Sequence, residues 1–243
     1  MMTRNWKEEY ESRVAWIREL VKTAGVRGIV FGNSGGKDSA LVGILCKAAC
    51  EDTVGIIMPC ASKRNYGSDA EDGRKLAAQY GIETRTVDLT AVRAAELEAL
   101  QGVADMTDLA VSNIAPRLRM TTLYAVAAAE GRLVAGTGNR SEGYMGYYTK
   151  WGDGASDFNP ISDLTATEVF AFRAWLGAPR SIIEKAPSAG LFDGQTDEQE
   201  MGVSYEAIDR FLTEGTATEK DRAIIERFHA RSEHKRRPIA TYR

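Results

Sequence analysis

Cysteine and histidine are scarce in this 243-residue sequence, which contains three cysteines and two histidines. Three cysteines are too few for a disulfide framework, and Cys46, Cys50 and Cys60 do not have the spacing of a four-ligand zinc site. Cys46 and Cys50 lie four residues apart in an apolar stretch, which indicates small core residues of a buried helix. Neither His229 nor His234 stands in a triad-like setting, so the sequence gives no sign of a nucleophilic triad.

The sequence also lacks a long apolar run and a large excess of either charge. No apolar stretch approaches membrane-spanning length, and the charged N-terminus lacks the apolar core of a signal peptide. Lys and Arg number 31 against 34 Asp and Glu, and the net charge of −3 gives no general attraction to DNA, RNA or anionic lipid. We therefore expect a cytoplasmic protein that binds no nucleic acid and no membrane, with residues 1–243 forming a single domain.

Short apolar runs alternate with stretches of helical periodicity. The runs are Gly28–Phe31, Thr53–Met58, Glu83–Leu89 and Arg132–Ala135, and the helical stretches include Trp6–Val21, Ala40–Ala49, Ser68–Gln79 and helices between Ala95 and Glu130. This alternation predicts an α/β fold of three layers, a mainly parallel twisted sheet with helices on both faces. Such sheets bind ligands at the carboxyl ends of their strands, so the loops after Phe31 and Ala135 are expected to lie together.

The loop after the first predicted strand has the character of a phosphate site. It reads Gly32-Asn33-Ser34-Gly35-Gly36-Lys37-Asp38-Ser39, between a strand and a helix, where free N–H groups and the helix dipole favour an anion. A Walker A loop requires Ser or Thr after the lysine, where Asp38 stands here. A carboxylate beside phosphates indicates a bridging Mg²⁺. The alternative is a glycine-rich turn with Asp38 as the helix N-cap.

A second polar loop, Gly136-Thr137-Gly138-Asn139-Arg140-Ser141-Glu142, follows the last predicted strand. Its position suits Thr137 for a hydrogen bond to the phosphate-bearing ligand of the first loop and Glu142 for a metal held jointly with Asp38. A turn capped by Asn139 or Ser141 is the alternative interpretation. Further on, Tyr148 to Asp157 combines aromatic residues and glycines with a cation and carboxylates, a composition that suits a flat heteroaromatic ring.

The run from Ser34 to Ser39 resembles the pyrophosphatase loop, or PP loop, of enzymes that cleave ATP to AMP and pyrophosphate. That loop does not choose among such enzymes, but later segments are similar to the ammonia-dependent NAD synthetase family. These segments are Arg117-Leu118-Arg119-Met120, Tyr148–Asp157, Pro187-Ser188-Ala189-Gly190-Leu191 and Gln195-Thr196-Asp197-Glu198. The resemblance runs from about Gly28 to Lys235 and includes no glutaminase domain. It implies an adenine nucleotide alpha-hydrolase-like fold, a homodimer, and the use of ATP with Mg²⁺.

The resemblance also implies a role for each matching residue. ATP would be bound by Gly32, Asn33, Ser34, Gly35, Gly36, Lys37, Asp38, Ser39, Thr137 and Ser188. The metal would be held by Asp38 and Glu142, and deamido-NAD by Arg117, Lys150, Asp157, His234 and Lys235. Lys37 and Asp38 would serve catalysis, and Asp153 would steer ammonia. The alternatives are a solvated helix charge for Arg117 and a basic tail for His234 and Lys235.

The implied reaction joins the nicotinate carboxylate of deamido-NAD to the α-phosphate of ATP, and ammonia then displaces AMP to give NAD. Because water would destroy the adenylate, Lys185 to Glu200 is predicted to order over the site as a lid. One departure is Ala166, where the family usually has a lysine that contacts ATP. Lys37, Lys185 and Arg140 are the candidates to replace that cation.

Two other functions use the same loop. One is another PP-loop adenylating amidotransferase or a thiolase with a different substrate, although thiolation generally needs reactive cysteines and a basic RNA surface. The other is a non-catalytic nucleotide-binding module. Ala166 favours such a module, whereas Asp38 and Glu142 argue against it.

Overall fold

The computed structural model describes residues 4–60, 67–178 and 197–242. Its strands are β1 (Gly28–Gly32), β2 (Thr53–Ile57), β3 (Glu83–Thr86) and β4 (Arg132–Ala135). Its helices are α1 (Trp6–Ala24), α2 (Lys37–Ala49), α3 (Ser68–Tyr80), α4 (Thr90–Ala99), α5 (Asp108–Ser112), α6 (Ile114–Glu130), α7 (Arg140–Met145), α8 (Ala166–Trp175), α9 (Asp197–Met201), α10 (Tyr205–Glu214), α11 (Glu219–Arg231) and α12 (Glu233–Arg236). None of these helices combines the length and apolar character needed to cross a bilayer.

The strands form a parallel sheet in the order β3-β2-β1-β4. This confirms the predicted α/β class with a parallel sheet. Strand β3 is shorter than the predicted run, because β2 ends at Ile57. The N–H groups of Val87 and Leu89 still donate to the carbonyls of Ile57 and Pro59, but outside a regular ladder.

The side chains of β1 alternate between two apolar layers, as the period of a strand requires. Ile29 and Phe31 pack with residues of α1, α2 and α8, whereas Val30 packs with β2, β4 and α6. Phe31 is fully buried, and burial of such a side chain contributes about 1.5–3 kcal/mol. Helices therefore cover both faces of the sheet.

The pairing of β1 with β4 places the two polar loops side by side. Phe31 in β1 pairs with Ala135 in β4, so the loops that follow these two strands leave the sheet at the same edge. Beyond that edge, α7 packs into a cluster of buried apolar residues with the C-terminal helices α10 and α11, through Met145, Ile208 and Ile225. The expected proximity of the two loops is confirmed.

Candidate functional site

The phosphate loop joins β1 to α2, and within residues 4–60, 67–178 and 197–242 no side chain caps the N-terminus of that helix. Gly36 is the N-cap residue and has an extended backbone. Because it is a glycine, it has no side chain to form a cap hydrogen bond. Asp38 lies in the first turn of the helix, so the alternative interpretation of Asp38 as N-cap is wrong. Its carboxylate instead faces the loop that follows β4. The positive end of the α2 dipole therefore points at the open side of the loop.

Close packing against α3 sets the shape of this loop. Gly35 has φ +70°, and a Cβ atom there would lie 2.0 Å from the carbonyl oxygen of Asp69. Asn33 is buried, and its Nδ2 donates to the carbonyl of Gly73 at 2.9 Å while its N–H donates to that of Ile56 at 2.8 Å. Asn33 thus fixes the loop to α3 and β2, in addition to its predicted contact with ATP.

The hydroxyl groups of Ser34 and Ser39 link the two ends of the phosphate loop by hydrogen bonds. The Oγ atoms of Ser34 and Ser39 are 3.0 Å apart, and the N–H of Gly36 donates to Ser34 Oγ at 3.3 Å. Ser39 Oγ also donates to the carbonyl of Gly36 at 3.1 Å. Ser39 is buried while Ser34 is exposed, so Ser34 is the hydroxyl accessible to a ligand.

A buried charge cluster lies beside the loop. Lys37 Nζ is 2.8 Å from Asp38 Oδ2 and 3.9 Å from Glu142 Oε1, and its side chain is 5% exposed. Burial alone would lower the pKa of Lys37, but the two carboxylates outweigh it and raise that pKa. Burial and the Asp38 charge raise the pKa of Glu142 to about 8. Asp197 is also buried and contributes to the raised pKa of Lys37, so three acidic side chains, Asp38, Glu142 and Asp197, act on this lysine.

The loop after β4 is tied to the phosphate loop through Asn139. Asn139 caps α7 in a capping box with Glu142, and its Nδ2 donates to Asp38 Oδ1 at 3.1 Å. The capping interpretation of this loop is therefore correct, and it coexists with the charge cluster because Glu142 uses Oε2 for the cap and Oε1 toward Lys37. Thr137, half-buried, lies in the same loop.

The carboxylates can be compared with the needs of Mg²⁺. Across residues 4–60, 67–178 and 197–242, no group of three or more His, Cys, Asp or Glu side chains gathers as a metal cage. Protein-bound Mg²⁺ usually has only one or two carboxylate ligands, with substrate phosphates and waters completing the octahedron. Asp38 and Glu142, either side of Lys37, fit that second arrangement and require phosphates to complete it.

The predicted basic residues form a second group at the C-terminal end of α7. Lys235 Nζ donates to the carbonyls of Gly146 and Tyr148 at 2.7 and 2.5 Å, and burial lowers its pKa. Lys150 Nζ donates to the carbonyl of His234 at 2.7 Å, and the Arg117 guanidinium lies 3.5 Å from the carbonyl of Lys150. Lys235 is docked, so the basic-tail interpretation is wrong for it.

The two aspartates of the aromatic loop are engaged with the backbone. Asp153 Oδ1 accepts from the N–H of Thr149 at 2.9 Å. Asp157 Oδ2 accepts from the N–H of Val134 in β4 at 2.7 Å, and its Oδ1 accepts from the hydroxyl of Tyr124 at 3.2 Å. Asp157 thus fastens the loop to the sheet, in addition to its predicted role in substrate binding.

The charge cluster and the basic group lie at opposite ends of α7. Asn139 caps its start and Gly146 its end, and the helix has 6 residues, a span of about 9 Å. Two predictions fall on other parts of the chain. Ser188 lies outside the described residues, as does the predicted lid from Lys185 up to position 196.

Several residues around Lys37 were not predicted. Lys37 Nζ lies 5.1 Å from the ring centroid of Tyr205 and 5.7 Å from that of Phe170, and the Tyr205 hydroxyl donates to Asp197 Oδ2 at 3.0 Å. Aromatic residues at helical spacing are typical of a core, so their sequence gives no functional signal. Arg140, a candidate for the replacement cation, donates to the carbonyl of Leu212 at 3.0 Å.

Comparison with known proteins gives consistent matches. A sequence model of the family described as NAD synthase matches residues 9–239. The NH(3)-dependent NAD(+) synthetase of Carboxydothermus hydrogenoformans is 46% identical over 236 residues, 96% of each chain. The solved NMN synthetase of Francisella tularensis superposes with a TM-score of 0.94 at 37% identity, covering 99% of both chains. The NH3-dependent NAD synthetase of Campylobacter jejuni gives 0.80 at 30% identity, covering 99% of this chain and 100% of that one.

Proposed function

The chain belongs to the NAD synthase family, and we propose that it amidates deamido-NAD with ammonia and ATP to give NAD, AMP and pyrophosphate. It is then a ligase that forms a C–N bond. The observation that carries this proposal is that the phosphate loop and the loop after β4 meet at one edge of the sheet. There the Nδ2 of Asn139 donates a hydrogen bond to Asp38. Parallel sheets bind nucleotides at that edge.

ATP binds at the phosphate loop. The backbone N–H groups of the first turn of α2, from Lys37 to Ser39, and the dipole of that helix face its phosphates, with Thr137 and Ser188 as further contacts. Because phosphoryl transfer needs little covalent chemistry from the protein, positioning and charge stabilisation supply the catalysis. Lys37 neutralises negative charge that gathers on the phosphoryl oxygens.

Asp38 and Glu142 would hold Mg²⁺ together with the phosphates. The proposal is supported by the three acidic side chains that act on Lys37, because a divalent cation would offset their negative charge. When bound, the metal supplies Lewis-acid stabilisation of the phosphoryl oxygens. Asn139 orients the two carboxylates, because its N–H donates to one oxygen of Glu142 and its Nδ2 donates to one oxygen of Asp38.

The nicotinate substrate occupies the other end of α7, where Arg117, Lys150, His234 and Lys235 attract its phosphates. A carboxylate oxygen forms a bond to the α-phosphorus of ATP, and pyrophosphate leaves. The nitrogen of ammonia, steered by Asp153, then bonds to the carbonyl carbon. AMP departs with the carboxylate oxygen, and the surplus ammonia proton passes to solvent.

A second candidate substrate, nicotinate mononucleotide, is supported by the structural comparison. The solved structure named NMN synthetase has a TM-score of 0.94, against 0.80 for the NAD synthetase of Campylobacter jejuni. Nicotinate mononucleotide carries the same carboxylate as deamido-NAD and lacks only the adenylyl half. Amidation of the mononucleotide to nicotinamide mononucleotide is therefore the second candidate, while the relatives named NAD(+) synthetase favour the dinucleotide.

One assay separates the candidates. Purified protein is given ATP, Mg²⁺ and ammonium with either deamido-NAD or nicotinate mononucleotide, and amide, AMP and pyrophosphate are measured together. The leading proposal expects the higher kcat/KM with deamido-NAD, and the second candidate expects it with the mononucleotide. Folded protein that amidates neither substrate would contradict both.

The chain also acts as a homodimer. The family resemblance motivates this proposal, and it is supported by exposed apolar side chains along α4, α5 and the segment between them. Val92, Val103 and Leu109 are 48%, 72% and 69% exposed. Light scattering should give about twice the chain mass of 26.6 kDa, and V103E/L109E should give the chain mass itself. A monomeric wild type would contradict the proposal.

A further inference from the structure

A buried carboxylate links α7, α8 and α10. Asp209, in α10, is 2% exposed. Its Oδ1 accepts from the hydroxyl of Ser141 in α7, and its Oδ2 accepts from the N–H of Thr167 in α8 at 2.7 Å. Ser141 is fully buried, and its Oγ accepts from the N–H of Ala166 at 3.1 Å. Both oxygens of the carboxylate therefore have donors, as a buried charge requires.

Ser141 lies in the turn that carries two residues of the candidate site. It directly precedes Glu142, and Asn139, the N-cap of α7, stands two positions before it. Arg140, between Asn139 and Ser141, also bonds to α10, because its Nη2 donates to the carbonyl of Leu212 at 3.0 Å. Two consecutive side chains, those of Arg140 and Ser141, thus attach the first turn of α7 to α10.

The same face of α10 contacts the phosphate loop. Tyr205 lies four residues before Asp209, so the two side chains share one face of the helix. Lys37 Nζ is 5.1 Å from the ring centroid of Tyr205. Helix α10 therefore contacts both parts of the charge cluster, Lys37 through Tyr205 and the turn that carries Glu142 through Asp209.

We propose that Asp209 is a positioning residue for the metal and phosphate site: through Ser141 it fixes the first turn of α7, and thereby the carboxylate of Glu142. The inference rests on the proposed binding of Mg²⁺ and ATP at that site. The N-terminus of α8 favours a negative charge, which makes a carboxylate a suitable anchor at this position. Replacement of groups that orient metal ligands lowers metal affinity or activity by about 10- to 100-fold.

The competing explanation is that Asp209 serves folding alone, as an anchor for the N-terminus of α8. Loss of such an anchor lowers the stability of the protein, but the kinetic constants of the molecules that remain folded keep their wild-type values. Loss of a positioning residue changes the constants of the step that uses the positioned group. The dependence of binding and adenylation on Mg²⁺ therefore distinguishes the two explanations.

The test replaces each end of the link between Asp209 and Ser141. Asp209→Asn leaves one acceptor oxygen where the Ser141 hydroxyl and the Thr167 N–H converge. It should raise the Mg²⁺ concentration for half-maximal pyrophosphate exchange about tenfold, and Mg²⁺ with ATP should raise its melting temperature less than that of the wild type. Ser141→Ala should have the same two effects. The double variant should lie within about twofold of either single variant, because both changes break one link.

Thr165→Ala is the matched control, since Thr165 is the N-cap of α8 and its loss weakens the same helix terminus. It should lower the melting temperature by about 2–4 °C and leave the Mg²⁺ dependence at the wild-type value. Equal Mg²⁺ effects of Thr165→Ala and Asp209→Asn would overturn the inference. Additive losses in the double variant, or a wild-type Mg²⁺ dependence in folded Asp209→Asn, would overturn it as well.

If Asp209→Asn does not fold, Ser141→Ala decides by the same two measurements. A raised Mg²⁺ requirement then supports the inference, and a wild-type requirement overturns it. Wild-type protein that amidates neither substrate would contradict the proposed function instead. The melting temperature with Mg²⁺ and ATP still tests Asp209 in that case, because binding needs no turnover.

Discussion

Replacing Gly35 by alanine tests the phosphate loop at its tightest point. At φ +70° a residue with a Cβ costs about 1–2 kcal/mol. The new Cβ would lie 2.0 Å from the carbonyl oxygen of Asp69, where contacts below 3.0 Å do not occur, so the backbone must shift by at least the 1.0 Å difference. Overpacking of this kind costs about 1–3 kcal/mol more. The variant should therefore lose about 2–5 kcal/mol and stay folded at low temperature.

The effect on activity should exceed the effect on folding. A displacement of about 1 Å in a positioning element lowers rates by about 100-fold, which we expect in kcat/KM for ATP measured by pyrophosphate exchange. Gly81→Ala is the matched control, because Gly81 caps the C-terminus of α3 at φ +65° with nothing within 4 Å of its Cβ position. It should lose about 1–2 kcal/mol in urea unfolding and keep full activity. Normal ATP kinetics in folded Gly35→Ala would refute this reasoning.

Three further predictions concern charge and burial. Asp38→Asn should lower adenylation by the folded variant by more than about 100-fold, measured by pyrophosphate exchange. Because Asp38 pairs with the buried Lys37, the variant should also lose about 3–5 kcal/mol in urea unfolding. Burial would raise the pKa of Asp163, but Arg13 outweighs it and lowers that pKa. Arg13→Met should therefore cost about 1 kcal/mol above pH 4, and this difference should vanish as pH falls through the lowered pKa. Burial raises the pKa of the Cys46 thiol, so a disulfide reagent should modify it only after unfolding.

The sheet could be predicted because parallel strands buried on both faces give continuous apolar runs. Runs such as Gly28–Phe31 and Arg132–Ala135 match β1 and β4 within one residue. The predicted run Glu83–Leu89 is longer than the edge strand β3, because the end of β3 depends on where its neighbour β2 ends. The predicted helical region before Glu130 also proved to be interrupted, with Gly102 at φ +74° and Thr107 capping a new helix.

The two loops of the site could be predicted because their signals are local. Adjacent glycines after a strand and a capped turn after another strand are visible within eight residues of sequence. The neighbours of Lys37 could not be predicted from the sequence, because Tyr205 contacts it only through the packing of α10 against α7 and α8. The same holds for Lys235, whose docking on Gly146 spans 89 residues of sequence. Long-range packing leaves no periodic trace in the segments that it joins.

The central claim is that a nicotinate carboxylate is adenylated at the phosphate loop before ammonia enters. Deamido-NAD labelled with ¹⁸O in both carboxylate oxygens tests this directly, with AMP and NAD analysed by mass spectrometry after one turnover with unlabelled ATP. The account predicts one ¹⁸O atom in AMP and one in the amide of NAD, with pyrophosphate unlabelled. Unlabelled AMP, or ADP and phosphate as the products, would contradict it.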